Sequence, residues 1–366
     1  MDISPGAAPS SPISLFKPYV SKRCLADLKQ VLYSGYLGEG PKVKEFERVL
    51  SEYFDGYVVL VNSGTSALHL ALHLAGVRDR DVISTPMTCL ATNTPVLHNG
   101  GRVIWADVDP DTGNIDPASV SARITGETRA VMVVHYGGNL CDPALTGLCD
   151  GRGIQLIEDC AHLAGPGLGG LQCYSFQAIK YLTTGDGGCL VTKDRGIYER
   201  AKLLRWYGID RDSGQTLRGM DPVHEAGYKF HMNDIAATIG LANFAAVPSL
   251  LAKVGRHAAR YHAAFRSLKH VRPVPVPHRH DYYLYILLAQ ERDRFATYMH
   301  DRGIETSSVH VRNDIQPIFA RSRCPLPGLE NFWSRQICIP VGWWLSAKQT
   351  KYIADTVRSF DALCSG

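Results

Sequence analysis

Short β-type runs alternate with helical segments over residues 57–160, and this alternation limits the possible folds more than any other feature of the chain. The runs YVVLVN, DVIST, GRVIWADV, RAVMVVHY and GIQLIEDC are rich in β-branched residues, and stretches such as TSALHLALHLAGV lie between them. The pattern predicts a three-layer α/β domain with a mostly parallel sheet between helices. Ligands of such sheets bind at the carboxyl ends of the strands, here residues 62–66, 85–89, 135–137 and 158–162.

The chain is long enough for two domains, with 366 residues of which 45% are hydrophobic. Its composition changes after Pro248, where a long helix leads into a proline-rich stretch and then into short β and α segments. This change predicts a smaller α+β domain at the C-terminus. We expect a disordered tail at residues 1–14, a large ligand-binding domain at 15–248 and the smaller domain at 249–366.

Two segments near the end of the expected large domain have recognisable local patterns. Residues 208–224 are polar and predict an exposed loop or flap. Asn233 or Asp234 can cap a helix that begins near Ile235.

Composition argues against several classes of partner. The net charge is only +4, and Lys and Arg are scattered, which gives no reason to expect nucleic acid or membrane binding. The longest apolar stretches are too short to cross a bilayer, and the N-terminus lacks the pattern of a secretory signal, so we expect a cytoplasmic protein. The ten cysteines form no CxxC pair, which argues for reduced thiols and against a metal site.

Lys180 is the first candidate for chemistry. It follows a β-type run in the segment CYSFQAIKYLTTGDGG, residues 173–188, where apolar and small residues surround it. Burial there would lower the pKa of its amine toward reactivity, as Schiff-base chemistry requires. The alternative interpretation is a solvated surface lysine.

A second candidate is the segment NSGTSAL, in which Gly64, Thr65 and Ser66 lie where a strand gives way to a helix. Unpaired amides, hydroxyls and the positive end of the helix dipole meet there, which is typical of a phosphate site. Simple N-capping is the alternative. Ser175, five residues before Lys180, could add a hydroxyl to the same phosphate.

The acidic pair Glu158 and Asp159 ends an apolar strand, so at least one carboxylate is expected inside the site. A buried carboxylate needs a cationic partner, and a pyridinium nitrogen would supply one. Strand alternation puts the two on opposite faces, and we favour Asp159 because its shorter side chain fixes the distance better. A surface pair or helix cap is the alternative.

Gly165, Gly167 and Gly170 formally make a GxGxxG motif after a strand. The residues that follow are β-like rather than helical, and the motif lies in mid-chain, so we reject dinucleotide binding. A P-loop sequence is absent as well.

Together these features resemble nucleotide-sugar aminotransferases of the DegT/StrS type, which are pyridoxal 5′-phosphate (PLP) enzymes of fold type I. The resemblance runs from about Leu15 to the final helix. It is carried by the segments GYLGEGPKVKEFE, NSGTSALHLAL, ADVDPDTGNID, IEDCAH, SFQAIKYLTTGDGG and GYKFHMND.

The resemblance implies a role for each candidate residue. Lys180 would hold PLP as a Schiff base, Asp159 would pair with the pyridine nitrogen, and His162 would border the ring hydroxyl. The phosphate would be held by Gly64, Thr65, Ser66 and Ser175, with Asn233 reaching it from the partner subunit of a homodimer. Cys89 stands where relatives have an aromatic residue on the ring face.

The function implied is transfer of an amino group from an amino acid to a keto group of a nucleotide-linked deoxysugar. We expect L-glutamate as the amino donor. A dehydratase branch of the family has histidine in place of this lysine, so Lys180 favours transamination over dehydration. A cyclitol ketone in place of the sugar nucleotide, and a non-catalytic regulator on the same fold, are also compatible with the resemblance.

Overall fold

A seven-stranded sheet is the centre of the fold in the computed structural model, which describes residues 11–211 and 222–365. Its strands are β1 (Tyr57–Val61), β2 (Asp81–Ser84), β3 (Arg102–Trp105), β4 (Thr128–Val134), β5 (Gln155–Asp159), β6 (Leu171–Ser175) and β7 (Gly188–Thr192). They lie in the order β1-β7-β6-β5-β4-β2-β3, and among them only β7 runs against the rest. The predicted mostly parallel sheet is confirmed.

Helices cover both faces of this sheet. They are α1 (Cys24–Leu32), α2 (Pro41–Phe54), α3 (Gly64–Ala75), α4 (Leu90–His98), α5 (Pro117–Arg123), α6 (Ala144–Asp150), α7 (Arg195–Leu204) and α8 (Asp234–Phe244). Side chains alternate between the faces of a strand. Val59 and Val61 therefore pack in the cluster that contains α3, whereas Leu60 packs with α2, and Val131 packs with α5 and α6. The three-layer α/β arrangement follows from this alternation.

The register of the strands brings their functional ends to one edge. Asp159 of β5 lies opposite Val134 of β4 and Cys173 of β6. Gly188 of β7 lies opposite Ser175 of β6 and also opposite Val61 of β1. The loops that follow β1, β4, β5 and β6 therefore meet at the same edge of the sheet.

The C-terminal part contains a second sheet, which is antiparallel. Its strands are β8 (Val271–Pro273), β9 (Tyr285–Ala289) and β10 (Gln336–Ile339), in the order β10-β9-β8. The helices of this part are α9 (Val247–Phe265), α10 (Arg292–His300), α11 (Pro327–Arg335) and α12 (Ala347–Leu363). A capping box of Ser346 and Gln349 begins α12. The boundary expected after Pro248 falls in the first turn of α9.

The N-terminal segment packs on this C-terminal part. Residues 1–10 of the expected tail lie outside the described residues. Ile13, however, is only 2% exposed and pairs in parallel with Ile304. Ile13 is therefore ordered, contrary to the expected tail, because it packs in the hydrophobic cluster that contains Tyr261 and Phe295.

Helix starts follow local capping rules. Asn233 caps α8, since its Oδ1 accepts the Ala236 amide at 2.9 Å, as predicted. The loop expected at 208–224 lies largely outside the described residues. Among the helices that are described, none alone combines the length and apolarity needed to cross a membrane, and a pair bent by 54°, α8 with α9, passes on length and composition only.

Candidate active site

A cavity of about 410 Å³ opens at the edge of the main sheet where the strand ends meet. Every candidate residue from the sequence except Ser66 and Asn233 lines it. The lining residues that matter below are Ser63, Gly64, Thr65, Thr88, Cys89, Asp159, His162, Ser175, Lys180 and His310. The topology thus brings together residues that are more than 100 positions apart in the chain.

Lys180 lies in the tight turn between β6 and β7. Its amide donates to Gln177 O at 2.9 Å, and its Nζ lies 4.4 Å from the centroid of the Tyr283 ring. Burial lowers the pKa of Lys180 to about 8, although the charge of Asp159 opposes this change. The predicted desolvation of this amine is confirmed.

Asp159 is the last residue of β5 and is 5% exposed. Its Oδ1 accepts the Ala161 amide at 3.0 Å, and its Oδ2 accepts the Thr92 hydroxyl at 2.7 Å. These two hydrogen bonds fix the position of the carboxylate, which also lines the cavity. A carboxylate only accepts hydrogen bonds, so it can accept one from a nitrogen that carries a proton.

Glu158 lies on the opposite face of β5, as strand alternation predicted. It is fully buried, and its oxygens accept from His135 Nε2 at 2.9 Å and from the amides of Gly169 at 3.0 Å and Gly170 at 2.7 Å. Burial alone would raise its pKa, but the hydrogen bond and charge of His135 and the loop amides together lower it. The glycine-rich loop 165–170 therefore binds a carboxylate of its own chain. This explains its GxGxxG pattern without a nucleotide.

The first turn of α3 forms one end of the cavity. Ser63 Oγ caps the helix by accepting the Ser66 amide at 3.1 Å, while Gly64 and Thr65 line the cavity. The Ser66 hydroxyl is buried and donates to Asn62 Oδ1 at 2.6 Å. The structure thus uses Ser66 inside the cap, and its predicted contact with a phosphate stays a prediction.

His162 has a defined tautomer. Its Nδ1 accepts the Gly137 amide at 3.1 Å, so the neutral ring carries its proton on Nε2. Burial, together with the nearby Lys180 charge, lowers the pKa of His162 well below 6.5, which keeps the ring neutral. The ring stacks on Tyr283 at 4.4 Å on one side and lies parallel to His310 at 5.6 Å.

Tyr283 and His310 are functional candidates that the sequence did not reveal. Both come from the C-terminal part and approach Lys180, since Tyr283 lies under its amine and the charge of Lys180 helps to lower the pKa of His310 to about 4. Burial is the larger cause of that shift. No local motif marks either residue, so no sequence signal could have found them.

Asn233 and Cys89 differ in their relation to the cavity. Asn233 is exposed at the start of α8 and does not line the cavity of its own chain. Cys89 is exposed, lines the cavity and precedes α4.

Comparison with known proteins identifies the chain. A model of the DegT/DnrJ/EryC1/StrS aminotransferase family matches residues 18–358. The chain belongs to this family. DegT/StrS enzymes are PLP-dependent sugar aminotransferases, and PLP is accordingly the cofactor of this protein.

Relatives of the DegT/StrS family resemble the chain over nearly its whole length. The spore coat polysaccharide biosynthesis protein SpsC of Bacillus subtilis is 30% identical over 93% of this chain and 95% of its own. AtS13 of Actinomadura melliaura has a TM-score of 0.92 at 38% identity, covering 96% of this chain and 99% of its own. The sugar aminotransferase CalS13 of Micromonospora echinospora has a TM-score of 0.91 at 37% identity, covering 95% and 99%. The predicted family and fold type are confirmed.

The cavity fits PLP. Its volume is typical of a small-molecule site, and it offers an amine, a carboxylate and hydroxyl groups. A methyl group on Gly64 would come within 2.7 Å of Ser175 Cβ, so the glycine lets β6 and the start of α3 approach closely. The Ser175 hydroxyl and the helix N-terminus can therefore reach one anion together.

Proposed function

We propose that the protein transfers the amino group of L-glutamate to the keto group of a nucleotide-linked deoxysugar. The observation that carries this proposal is the presence of Lys180 and Asp159 in one cavity, with a helix N-terminus and Ser175 at its end. An amine of lowered pKa, a fixed carboxylate and an anion cradle are the groups that PLP-dependent transamination needs.

The relatives support the choice of acceptor. CalS13 is a sugar aminotransferase, and PseC of Helicobacter pylori, 25% identical, is an aminotransferase involved in the biosynthesis of pseudoaminic acid. SpsC belongs to spore coat polysaccharide biosynthesis. Sugar or polysaccharide chemistry is common to these descriptions, which supports a sugar acceptor.

Each candidate residue has a proposed contact with PLP. Lys180 would bind it covalently, Asp159 would hold its ring nitrogen, and His162 would donate from Nε2 to the ring oxygen. Cys89 would form the wall at the ring face. The phosphate would be held by Gly64, Thr65, Ser66 and Ser175, together with Asn233 of the partner subunit.

When bound, PLP would supply an aldehyde that accepts the donor's amino group and an electron sink conjugated to the amine-bearing carbon. Lys180 Nζ would hold PLP, and as a free amine it would move the proton between the amine-bearing carbon of the donor and the cofactor carbon. Its lowered pKa makes the neutral amine available near neutral pH. The Asp159 carboxylate would keep a proton on the ring nitrogen by holding a negative charge beside it.

We also propose a homodimer in which each site includes Asn233 of the partner subunit. Asn233 is exposed and lies outside its own cavity. Large exposed side chains on α1 and just after it, Leu25 at 72% and Tyr33 at 85%, offer apolar surface for such an interface. Free buried thiols such as Cys141 and Cys160 suit the reducing cytoplasm, which we propose as the compartment.

The test is a two-substrate assay with PLP-loaded protein. L-glutamate is paired in turn with keto-deoxysugar nucleotides and with cyclitol ketones, and the product is identified by mass spectrometry and NMR. We expect an amino sugar nucleotide and 2-oxoglutarate in equal amounts, and Lys180→Ala should lower the rate by at least about 10³-fold. Lys351→Ala, at an exposed lysine on α12, is the matched control.

Three results would overturn the proposal. Turnover of cyclitol ketones alone would move the acceptor to another class. Loss of water from the sugar without consumption of glutamate would indicate a dehydratase. Cofactor binding without consumption of either substrate would indicate a non-catalytic protein.

A further inference from the structure

Thr92 makes an unusual hydrogen bond for a threonine in a helix. It lies in the first turn of α4 and is fully buried, and its hydroxyl donates to Asp159 Oδ2 at 2.7 Å. Helical threonines commonly return the hydroxyl to the carbonyl four residues before them. Thr94 on the same helix does so, with a bond of 2.9 Å to Leu90 O.

A second threonine completes a chain of hydroxyls. Thr88 Oγ1 lies 2.7 Å from Thr92 Oγ1, and Thr88 is 2% exposed. A hydroxyl has one proton, and the ionised carboxylate can only accept. Thr92 therefore gives its proton to Asp159, and Thr88 must give its proton to Thr92. Both hydroxyls therefore donate in the direction of the Asp159 carboxylate.

We propose that Thr92 is a positioning residue for Asp159, assisted by Thr88. The proposal rests on the assignment of Asp159 to the cofactor ring nitrogen. With the Ala161 amide on Oδ1 and Thr92 on Oδ2, the carboxylate cannot rotate without losing a charge-assisted bond. Its remaining lone pairs then stay directed to the cavity, and its negative charge is stabilised there.

Other groups that titrate near Asp159 must be kept apart from this effect. Lys180 faces it across the cavity, and burial lowers the pKa of that amine to about 8. The thiols of Cys160 and Cys173 lie close, and burial raises the pKa of both. His162 stays neutral because burial lowers its pKa. Among the described residues, the Thr92 hydroxyl hydrogen-bonds Asp159 and Thr88 and none of these groups, so changes at Thr92 report on Asp159.

The test compares Thr92→Val with Thr94→Val and with Thr92→Ser. Thr92→Val should lower kcat/KM by about 10- to 100-fold, the value of a hydrogen bond to a charged group. Thr92→Ser keeps the hydroxyl and should recover to within about threefold, and Thr94→Val should stay within about twofold of the wild type. Activity alone does not separate positioning from folding.

The second readout is the protonation of the cofactor itself. PLP labelled with ¹⁵N in its ring is bound to each variant, and the ¹⁵N chemical shift is followed against pH. Thr92→Val should lower the pH at which the ring nitrogen loses its proton, because Asp159 holds that proton less well. Thr92→Ser and Thr94→Val should follow the wild-type curve.

A double-mutant cycle with Asp159→Asn separates the two hypotheses. Asp159→Asn alone should reduce kcat strongly, and a wild-type kcat would overturn the assignment of Asp159 in the proposed function. If that assignment holds, adding Thr92→Val to Asp159→Asn should cost less than about twofold more. An undiminished loss in that background, or a wild-type ¹⁵N curve for Thr92→Val, would overturn the positioning role.

The isosteric double variant Thr88→Val with Thr92→Val protects the test against misfolding. It removes both hydroxyls and leaves no unpaired donor in the core. If Thr92→Val folds poorly, the double variant should still lower the pH at which the ring nitrogen loses its proton. A wild-type curve there would also overturn the proposal.

Discussion

Burial of Lys180 determines how much of its amine is unprotonated near neutral pH. An ordinary lysine has a pKa of about 10.4 and is almost wholly protonated at pH 7, whereas at a pKa of about 8 roughly a tenth of the amine is neutral. Attack on the cofactor aldehyde requires the neutral form. If Lys180 binds PLP as proposed, its burial sets the pH range in which the cofactor can be taken up.

We predict that cofactor uptake by the apo-protein accelerates with pH through a midpoint of about 8. The rate rises because raising the pH removes the proton from Lys180 and exposes the lone pair of its amine. Stopped-flow measurement of the visible absorbance at saturating PLP gives the rate at each pH. A midpoint near that of an exposed lysine would contradict the lowered pKa.

Cys89 is the residue expected, from the family resemblance, to replace an aromatic side chain at the ring face. Its thiol is exposed at the cavity and forms no capping bond at the start of α4. A thiol covers little of a ring face compared with an aromatic side chain. We predict that Cys89→Ala changes PLP affinity by less than tenfold, about 1.4 kcal/mol. Equilibrium titration of the apo-protein measures this, and a larger loss would show that the thiol is a main wall of the cofactor site.

The sequence revealed the cavity residues that lie in a local motif and missed the contacts between distant parts of the chain. Lys180, Asp159 and Gly64 lie at strand ends, where period and turn chemistry indicate a site. Tyr283 is 103 positions from Lys180 and has no local pattern, and the bond from Thr92 to Asp159 spans 67 positions. Such contacts depend on how strands are ordered in the sheet, which alternation alone does not specify.

At the scale of elements, β5 serves two purposes with two adjacent carboxylates. Asp159 faces the cavity, while Glu158 anchors the loop 165–170 and His135 in the core. The sequence predicted that the two side chains diverge, because strand alternation is geometric. It could not predict the partners of Glu158, since those are His135, just after β4, and the amides of a separate loop.

We predict that Glu158→Gln destabilises the fold by about 2–3 kcal/mol at pH 7, because an amide NH₂ would face donors that now bind a carboxylate. Since the folded pKa of Glu158 is lowered, its contribution is present above the unfolded value of about pH 4.3 and fades as pH falls through the folded pKa. The difference in unfolding free energy between the variant and the wild type should therefore become smaller at acid pH. Denaturant unfolding at several pH values measures it.

The matched control for this prediction is Glu127→Gln. Glu127 is exposed and pairs with Arg80 and Arg102 at the surface, so its loss should cost less than about 0.5 kcal/mol. Equal destabilisation by both changes, or a gap that does not depend on pH, would mean that Glu158 is not held as an ionised group.

Helix capping also shows that local sequence patterns do not reveal contacts between distant residues. Asn233 caps α8, as its position before an apolar run predicts. Asp234 instead accepts the amides of Gly40 and Val43 at the start of α2, at 2.9 and 3.0 Å, and is 2% exposed. The adjacent pair therefore serves two helices, and the second is almost 200 positions away.

At the scale of the whole molecule, the proposed site is incomplete within one chain. The exposed side chain of Asn233 caps α8 and lies outside its own cavity. Asn233→Asp would keep that cap, because aspartate is an equally good N-cap and favours the helix dipole. It would also put a repelling carboxylate beside the phosphate of the neighbouring site if the proposed dimer is correct.

We predict that two inactive homodimers, Lys180→Ala and Asn233→Asp, restore activity when they are unfolded and refolded together. One site of each heterodimer then contains native Lys180 from one chain and native Asn233 from the other, so statistical mixing gives about a quarter of the wild-type rate. Lys180→Ala mixed with Asp159→Asn is the control. Both changes damage the site of their own chain, so every site stays defective. If heterodimers form by size and mass measurements yet no activity returns, Asn233 serves its own subunit and the shared-site hypothesis is wrong.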